Sequence, residues 1–187
     1  MRFLQNVTEE EVIKAFLAAE ATSPRFGKEL ARLRRGNMSD KELLAIWRGY
    51  PDQLLFNGFP HDVRWVRVML EEVDFNRLKY INDADSDNYW VTLSGGTRLV
   101  KDGAAMVRSR VEIFHQPNDG FWEIAKCIKA GKSFPPVICV AQDVSSDAVI
   151  LEGHARMTGY FLAYERIPFE LEIFMGFSSN ISQWKLY

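Results

Sequence analysis

The sequence predicts a mixed α/β (α+β) fold in which a helical amino-terminal segment packs on a sheet. Helical periodicity fills the first third of the chain, alternating apolar residues follow it, and the last third switches between strand and helix patterns. At 187 residues the chain has the length of one domain with an extension. We expect a helical segment over residues 1–60 and a sheet-containing domain over residues 61–187.

Two capping boxes mark helix starts in the first segment. Glu11 lies three residues after Thr8, and Glu42 lies three residues after Ser39. At this spacing the side chain of each residue accepts a hydrogen bond from the backbone amide of the other. Pro24 opens a helix between them, and Gly36 ends it. The apolar stripes predicted to be buried are Val12, Ala15, Phe16 and Ala19, then Phe26, Leu30 and Leu33, then Leu43, Ile46, Trp47 and Tyr50.

The middle of the chain changes period. Alternation over 66–70 predicts a half-buried strand, and Glu71 begins a short helix that we expect to reach Tyr80. A further strand is expected around Val111 and Ile113.

The last third has the clearest pattern. Apolar residues at helical spacing over 121–128 predict a helix that Gly131 caps. The apolar run 137–140 predicts a strand covered on both faces, and 148–151 predicts a second strand. The alternation over 169–175 predicts a strand with one wet face, and a last short helix with Trp184 is expected to cap the core.

The junction between the second of these strands and the following helix carries the chemistry of a candidate anion site. The first turn of a helix after Gly153 presents free N–H groups and the positive end of the helix dipole. Arg156 offers a forked guanidinium, His154 a donor whose charge is adjustable near neutral pH, and Glu152 a carboxylate for a proton or a metal ion. We expect Arg156 to face an open cleft beside the sheet, and a buried ion pair there would remove the basis for the site.

The stretch 121–176 resembles the ParB/sulfiredoxin-like superfamily. In that family a helix leads through a Pro-bearing turn into a strand, a second strand ends in Gly-x-x-Arg at the start of a helix, and a further strand follows. The matching parts are Phe121 to Ala130, Phe134-Pro135-Pro136-Val137-Ile138, Glu152-Gly153-His154-Ala155-Arg156, and Arg166-Ile167-Pro168 leading to Glu172-Ile173.

The resemblance implies a ParB/sulfiredoxin-like mixed sheet and a pocket for nucleotide phosphates, with ATP, ADP and CTP left open and Mg²⁺ as an accompanying ion. It gives the phosphate-binding role to Gly153, His154 and Arg156, and the catalytic role in phosphoryl transfer or nucleotide hydrolysis to Glu152 and His154. Glu123 and Lys126 lie on the helix that lines the site in the family, where simple exposure is the alternative. Sulfiredoxin carries its catalytic cysteine where this chain has His154, and ParB has a second arginine where it has Ala155. The closest pattern is the Asp-Gly-His-His-Arg of kinase-like and nuclease-annotated members.

A second candidate phosphate site is the glycine-rich turn. Successive small residues can turn backbone N–H groups inward as a nest, and an arginine supplies charge. An ordinary loop turn is the alternative. The residues are Ser94, Gly95, Gly96, Thr97 and Arg98.

The charge balance excludes a basic coat over the whole surface, because 23 Lys and Arg stand against 25 Asp and Glu. A local basic stripe supports a competing hypothesis, a DNA-associated regulatory module without turnover, and a solvated face is the alternative. A third hypothesis is an accessory protein whose first three helices dock a partner; large exposed apolar area there favours it. The stripe comprises Arg25, Lys28, Arg32 and Arg35, with further contributions from Arg64, Arg67, Arg108 and Arg110.

The remaining expectations concern location, cysteines and metals. No apolar run approaches the ~18 residues of a membrane span, and we expect a cytoplasmic protein that does not bind membranes. Cys127 and Cys139 are expected to be reduced and buried. Apart from the Mg²⁺ that would accompany a nucleotide, no metal site is predicted; Asp83, Asp85 and Asp87 lack the glycine and the terminal glutamate of a calcium loop.

Overall fold

Helices cover both faces of a mixed sheet in a computed structural model, which describes residues 1–34, 36–84, 88–164 and 170–187. The described strands form one sheet in the order β1-β2-β6-β4-β5-β3, so the predicted mixed α/β fold class is confirmed. They are β1 (Arg2–Asn6), β2 (Arg64–Met69), β3 (Leu78–Lys79), β4 (Ile138–Ala141), β5 (Ala148–Glu152) and β6 (Glu172–Phe177).

Parallel and antiparallel pairs occur together in this sheet. The β1–β2, β2–β6 and β4–β5 pairs are antiparallel. The β4–β6 and β3–β5 pairs are parallel. The strand β5 lies inside the sheet, and its last residue, Glu152, pairs with Ile138 of β4.

Three helices cover one face of the sheet. They are α1 (Glu9–Ala21), α2 (Gly27–Leu33) and α3 (Asp40–Arg48). Both predicted capping boxes are present, with Thr8 and Ser39 accepting from the backbone of Glu11 and Glu42. The carboxyl-terminal residues join this layer through Trp184, which is 2% exposed and donates to the Leu55 carbonyl at 2.7 Å. The expected short helix is a single 3-10 turn, Ile181–Gln183.

The second helical layer covers the opposite face. Its core is built on α6 (Val100–Arg108), α7 (Asp119–Lys129) and α8 (His154–Ala163), while α4 (Glu72–Phe75) and α5 (Tyr89–Leu93) are short connecting helices. The predicted helix over 121–128 and its capping by Gly131, in the left-handed region at φ +78°, are confirmed. The predicted strand over 137–140 is confirmed as β4, which is buried along its whole length because both faces are covered.

Burial differs from prediction at several positions, and five residues of the predicted buried stripes, Ala15, Phe26, Leu33, Trp47 and Tyr50, are only half-buried. The strand β6 has no wet face from Ile173 onward, because Phe174 packs against the first helical layer and is 3% exposed. Ile46 belongs to the predicted buried stripe of α3 but is 56% exposed. The buried side chains of that helix are Leu43 and Leu44. Cys139 is buried as expected, Cys127 is half-buried, and both are free thiols.

Further element predictions were wrong or incomplete. The helix expected to open at Pro24 begins at Gly27, after a turn. The helix expected to reach Tyr80 ends at Phe75, because the chain turns there to place the two residues of β3 beside β5. The strand expected around Ile113 is only an isolated bridge between Ile113 and Gln116. The helical segment 1–60 begins with a strand that the sequence did not reveal, since β1 is a five-residue edge strand exposed on both faces.

Glycine at position 159 is required by the packing of α7 on α8. An added Cβ would lie 2.4 Å from Cγ2 of Ile124 and 3.0 Å from its Cβ. The two helices therefore approach each other at a point where only a hydrogen fits.

Gly159→Ala is expected to lower the free energy of unfolding by about 2 kcal/mol, because the added methyl overpacks the helix contact. Gly120→Ala is the matched control, since a Cβ there meets no atom within 4 Å. In the control the gain in helix propensity should raise stability by up to about 1 kcal/mol. Urea unfolding of both variants measures the difference, and equal stabilities would contradict the proposed close contact.

Candidate site at the β5–α8 junction

The candidate site begins where β5 ends, and its local backbone is as predicted. Glu152 is the last residue of β5, Gly153 lies in the left-handed region at φ +105°, and α8 begins at His154. The first hydrogen bond of α8 runs from the Met157 amide to the Gly153 carbonyl at 2.8 Å. The preceding amides of the first turn have no partner inside the helix.

Arg156 does not face an open cleft. Its side chain is 10% exposed and folds back over the junction, where Nη2 donates to the Glu152 carboxylate. The other terminal nitrogen, Nη1, donates to the carbonyls of Pro135 and Pro136, the latter at 3.1 Å. Burial lowers the pKa of Arg156 to about 10, so the guanidinium remains charged at neutral pH. The expectation of a free guanidinium is therefore wrong, because the chain satisfies it internally.

Gly153 is required by the same arrangement. A Cβ at this position would lie 3.0 Å from Nη2 of Arg156 and 3.0 Å from Cγ2 of Val137. Its positive φ also disfavours any other residue. We expected a ligand to approach the backbone closely at Gly153. In the structure the groups that approach it are the Arg156 side chain and Val137, just before β4.

His154 is a half-buried side chain whose pKa is lowered well below neutral pH. Burial lowers its pKa to about 3, and a hydrogen bond with the Ile150 backbone offsets only part of that effect. Its ring stacks on Trp90 at 5.0 Å between centroids and lies 6.2 Å from the ring of Tyr80. Nε2 is buried and has no hydrogen-bond partner within the described part of the chain. The expectation of a charge adjustable near neutral pH is therefore wrong.

Glu152 is engaged by Arg156, and its side chain is 16% exposed. Acting as a base or holding a metal ion, as predicted, would require the ion pair to open. Glu123 and Lys126 are exposed on α7, which matches the simpler alternative for them.

The turn at residues 94–98 does not form a nest of free amides. Its five N–H groups donate in order to Trp90 O, Thr92 O, Val91 O, Ser94 O and Ser94 Oγ. The guanidinium of Arg98 donates to the carbonyls of Tyr80, Leu186 and Tyr187. The prediction of inward-facing amides at Ser94, Gly95, Gly96, Thr97 and Arg98 is wrong, because they end α5 and Arg98 anchors the carboxyl-terminal residues.

The structure adds a buried network that the sequence did not reveal. The Tyr80 hydroxyl and Oγ1 of Thr158 are 2.7 Å apart, and the same Oγ1 donates to the His154 carbonyl at 2.9 Å. Gly103 makes room for this tyrosine, since a Cβ there would lie 2.7 Å from its hydroxyl oxygen. No spacing rule connects Tyr80, Trp90 and His154, because they come from three separate parts of the chain.

The described basic side chains proposed for DNA differ in how far they are engaged by the protein itself. Arg25 and Lys28 are exposed, Arg32 lies 3.9 Å from Glu29, and Arg35 lies outside the described residues. Of the additional arginines, Arg67 pairs with Glu172 at 3.0 Å, Arg108 donates to the Phe161 carbonyl, Arg64 lies over the Phe177 ring, and Arg110 is exposed.

In the loop that contains Asp83, the described acidic side chain has a structural role. Asp83 is 2% exposed and accepts from the Trp90 and Val91 amides at the start of α5. Asp85 and Asp87, and the segment 166–168 of the family resemblance, lie outside the described residues. Across the described ranges, no group of three or more His, Cys, Asp or Glu side chains is arranged to hold a metal ion.

Arg156→Ala is expected to lower the free energy of unfolding by about 3 kcal/mol, because it leaves Glu152 and two carbonyls without their donor. Glu152→Gln should cost less, about 2 kcal/mol, because the amide oxygen still accepts although the guanidinium loses its counter-charge. Lys129→Ala, at an exposed position of α7, is the control and should change stability by less than about 0.5 kcal/mol. Urea unfolding measures all three, and an Arg156→Ala protein as stable as the control would contradict the structural role.

The stability contributed by neutral His154 is expected to depend on pH. Its pKa falls from 6.5, the ordinary value for a histidine, to about 3 in the folded chain, so between these values only the unfolded chain takes up the proton. The contribution is fully present above the higher value and is lost as the pH falls toward the lower one, with a slope of up to about 1.4 kcal/mol per pH unit.

Urea unfolding of wild type and His154→Gln between about pH 7 and pH 4 tests this linkage. The variant curve should be flatter, while His115→Gln, at an exposed position, should follow wild type. Parallel curves for wild type and His154→Gln would show that the ring is not held neutral.

Comparisons with known proteins add no assignment to this geometry. No family model matches the chain, and no curated protein and no solved structure matches it. Within the residues described, no helix is long and apolar enough to cross a membrane.

Proposed function

We propose that this protein is a ParB/sulfiredoxin-like binding module that works without nucleotide turnover. The observation that carries the proposal is the engagement of Arg156 by Glu152 and by the Pro135 and Pro136 carbonyls. In this chain the junction acts as a structural joint.

Phosphoryl transfer depends on positioning and on neutralising the charge of the phosphates. A phosphate at the start of α8 would have to take Arg156 away from a carboxylate and two carbonyls. Breaking such a buried pair costs about 3–5 kcal/mol, which the ligand would have to return in new contacts. Neutral His154 would present a nitrogen lone pair to the phosphate, and a lone pair cannot donate a hydrogen bond to the phosphate oxygens.

The order of elements supports the family part of the proposal. The chain passes from α7 through a proline turn into β4, and from β5 through Gly153 to Arg156 on α8. This is the order that the resemblance requires for those parts. The module keeps the strand-to-helix joint, and its residues connect elements in place of binding a ligand.

Binding of a macromolecule is favoured by the helical layer of α1, α2 and α3. Ala45 and Ile46 are both exposed on α3, where a purely solvated face would carry polar residues. The accessory-protein hypothesis predicts a large exposed apolar area on these helices, and Ala45 and Ile46 supply a small one. Binding of ATP, ADP or CTP, with or without Mg²⁺, stays a prediction that competes with the proposal.

A thermal-shift and hydrolysis panel of nucleotides, with and without Mg²⁺, separates the two on wild-type protein. We expect no saturable rise in melting temperature and no release of phosphate. A ligand at a hundred times its dissociation constant stabilises a protein by about 2.7 kcal/mol, so binding would be readily visible. Saturable stabilisation by one nucleotide, or its hydrolysis, would overturn the proposal.

A further inference from the structure

We propose that the outer surface of α2 and α3 docks an acidic, amphipathic segment of a partner protein. The inference rests on the proposed function, a binding module without turnover, and names the class of partner. Two features carry it: an apolar groove along α3 and a local excess of positive charge on α2 and the residues beside it.

The groove is a wide, shallow depression along the first two turns of α3, with about 550 Å³ of open space above its lining residues. Its apolar lining includes Ile46, which is 56% exposed, and Ala45, which is also exposed. Its lining residues are Asn37, Met38, Glu42, Ala45 and Ile46.

The exposure of Ile46 is built into the helix. The capping box of Ser39 and Glu42 fixes the start of α3, and Gly49 ends it in the left-handed region. Leu43 and Leu44, at 0% and 1% exposure, lock the opposite side of the helix into the core. Turning Ile46 inward would expose those leucines, so the apolar surface stays on the outside.

The charge of the neighbouring surface is positive. Within residues 25–34 four cationic side chains stand against a single acid, Glu29, whereas the whole chain has a net charge of −2; Asp40 and Glu42 of α3 reduce this local excess without cancelling it. Arg25 is an exposed residue, and its guanidinium lies over the Phe26 ring at 4.8 Å from the ring centroid. Arg34 lies beside the groove, since it pairs with Asp40 at the start of α3 at 2.6 Å. The cationic residues are Arg25, Lys28, Arg32 and Arg34.

The combination favours one class of partner. A nucleic-acid backbone binds to cationic side chains, and an apolar groove adds nothing to that binding. A helix with apolar residues at i, i+3, i+4 and i+7 fills such a groove, and carboxylates on its flanks complement the arginines and the lysine. The occupant is therefore an acidic amphipathic protein segment.

Fluorescence anisotropy with a labelled synthetic helix tests the proposal on the full chain. The probe carries Leu at the four spaced positions and Glu elsewhere, and comparison probes carry Lys for Glu or Ser for Leu. The acidic amphipathic probe should bind with a micromolar dissociation constant, in the range of small transient interfaces. Both comparison probes should bind at least about tenfold more weakly, a difference of about 1.4 kcal/mol.

Two variants of the chain locate the surface. Ile46→Glu, and the triple variant Arg25→Gln, Lys28→Gln and Arg32→Gln, should each weaken binding about tenfold or more. The first control is Val144→Glu, at a position that is 62% exposed on the β4–β5 loop. The second, Lys14→Gln with Lys129→Gln and Lys132→Gln, removes the same number of charges at exposed positions outside α2 and α3. Both controls should bind within about twofold of wild type.

Several outcomes would overturn the proposal. They are no binding of the acidic probe, equal losses in the variants and their controls, or preference for the lysine probe. Tight binding of a DNA duplex that the triple variant abolishes and Ile46→Glu leaves unchanged would assign the surface to nucleic acid instead. Because the positions are exposed, unfolding curves should confirm that every variant is folded. Nucleotide turnover would defeat the proposed function without affecting these binding data, so the two failures are distinguishable.

Discussion

The structure around the candidate site depends on one buried guanidinium. Arg156 joins the end of β5, the first turn of α8 and the proline turn that leads into β4. The Pro135 and Pro136 carbonyls lie outside any strand and need donors from elsewhere. A side chain with five N–H groups in a fixed fork meets that need while also pairing with a carboxylate.

Electrostatics explains why Glu152 accompanies this arginine. A cation in the first turn of a helix lies at the positive end of the dipole, which is unfavourable by itself. The Glu152 carboxylate lies against the guanidinium at the same end of α8, so it offsets both the arginine and the dipole. Neutral His154 adds no further positive charge there, because burial keeps it unprotonated.

Much of the fold could be predicted because its signals are local. The capping boxes of α1 and α3, the apolar run of β4 and the turn at Gly153 depend on residues close together in the sequence. The edge strand β1 and the burial of Phe174 depend on distant partners, namely β2 and the first helical layer, and no local pattern encodes them.

The candidate site shows the same division. Residue types and spacing placed Glu152, Gly153, His154 and Arg156 together at a strand-to-helix junction, and the structure has them there. Their bonding depends on Pro135 and Pro136, which lie about twenty residues earlier, and on Trp90 from another helix. Whether an arginine at such a junction binds a ligand or holds the chain together is decided by those distant groups.

Gly153 has a wider consequence for how short signatures are interpreted. Gly153 leaves room for the side chain of Arg156 in the same chain. The packing of this strand-to-helix junction is therefore enough to account for the motif Gly-x-x-Arg. A sequence can therefore carry the signature of a phosphate pocket without ever meeting a phosphate. An arginine that binds phosphate differs from one that holds its own chain together in how many guanidinium N–H groups remain free after the neighbouring backbone carbonyls have been hydrogen-bonded.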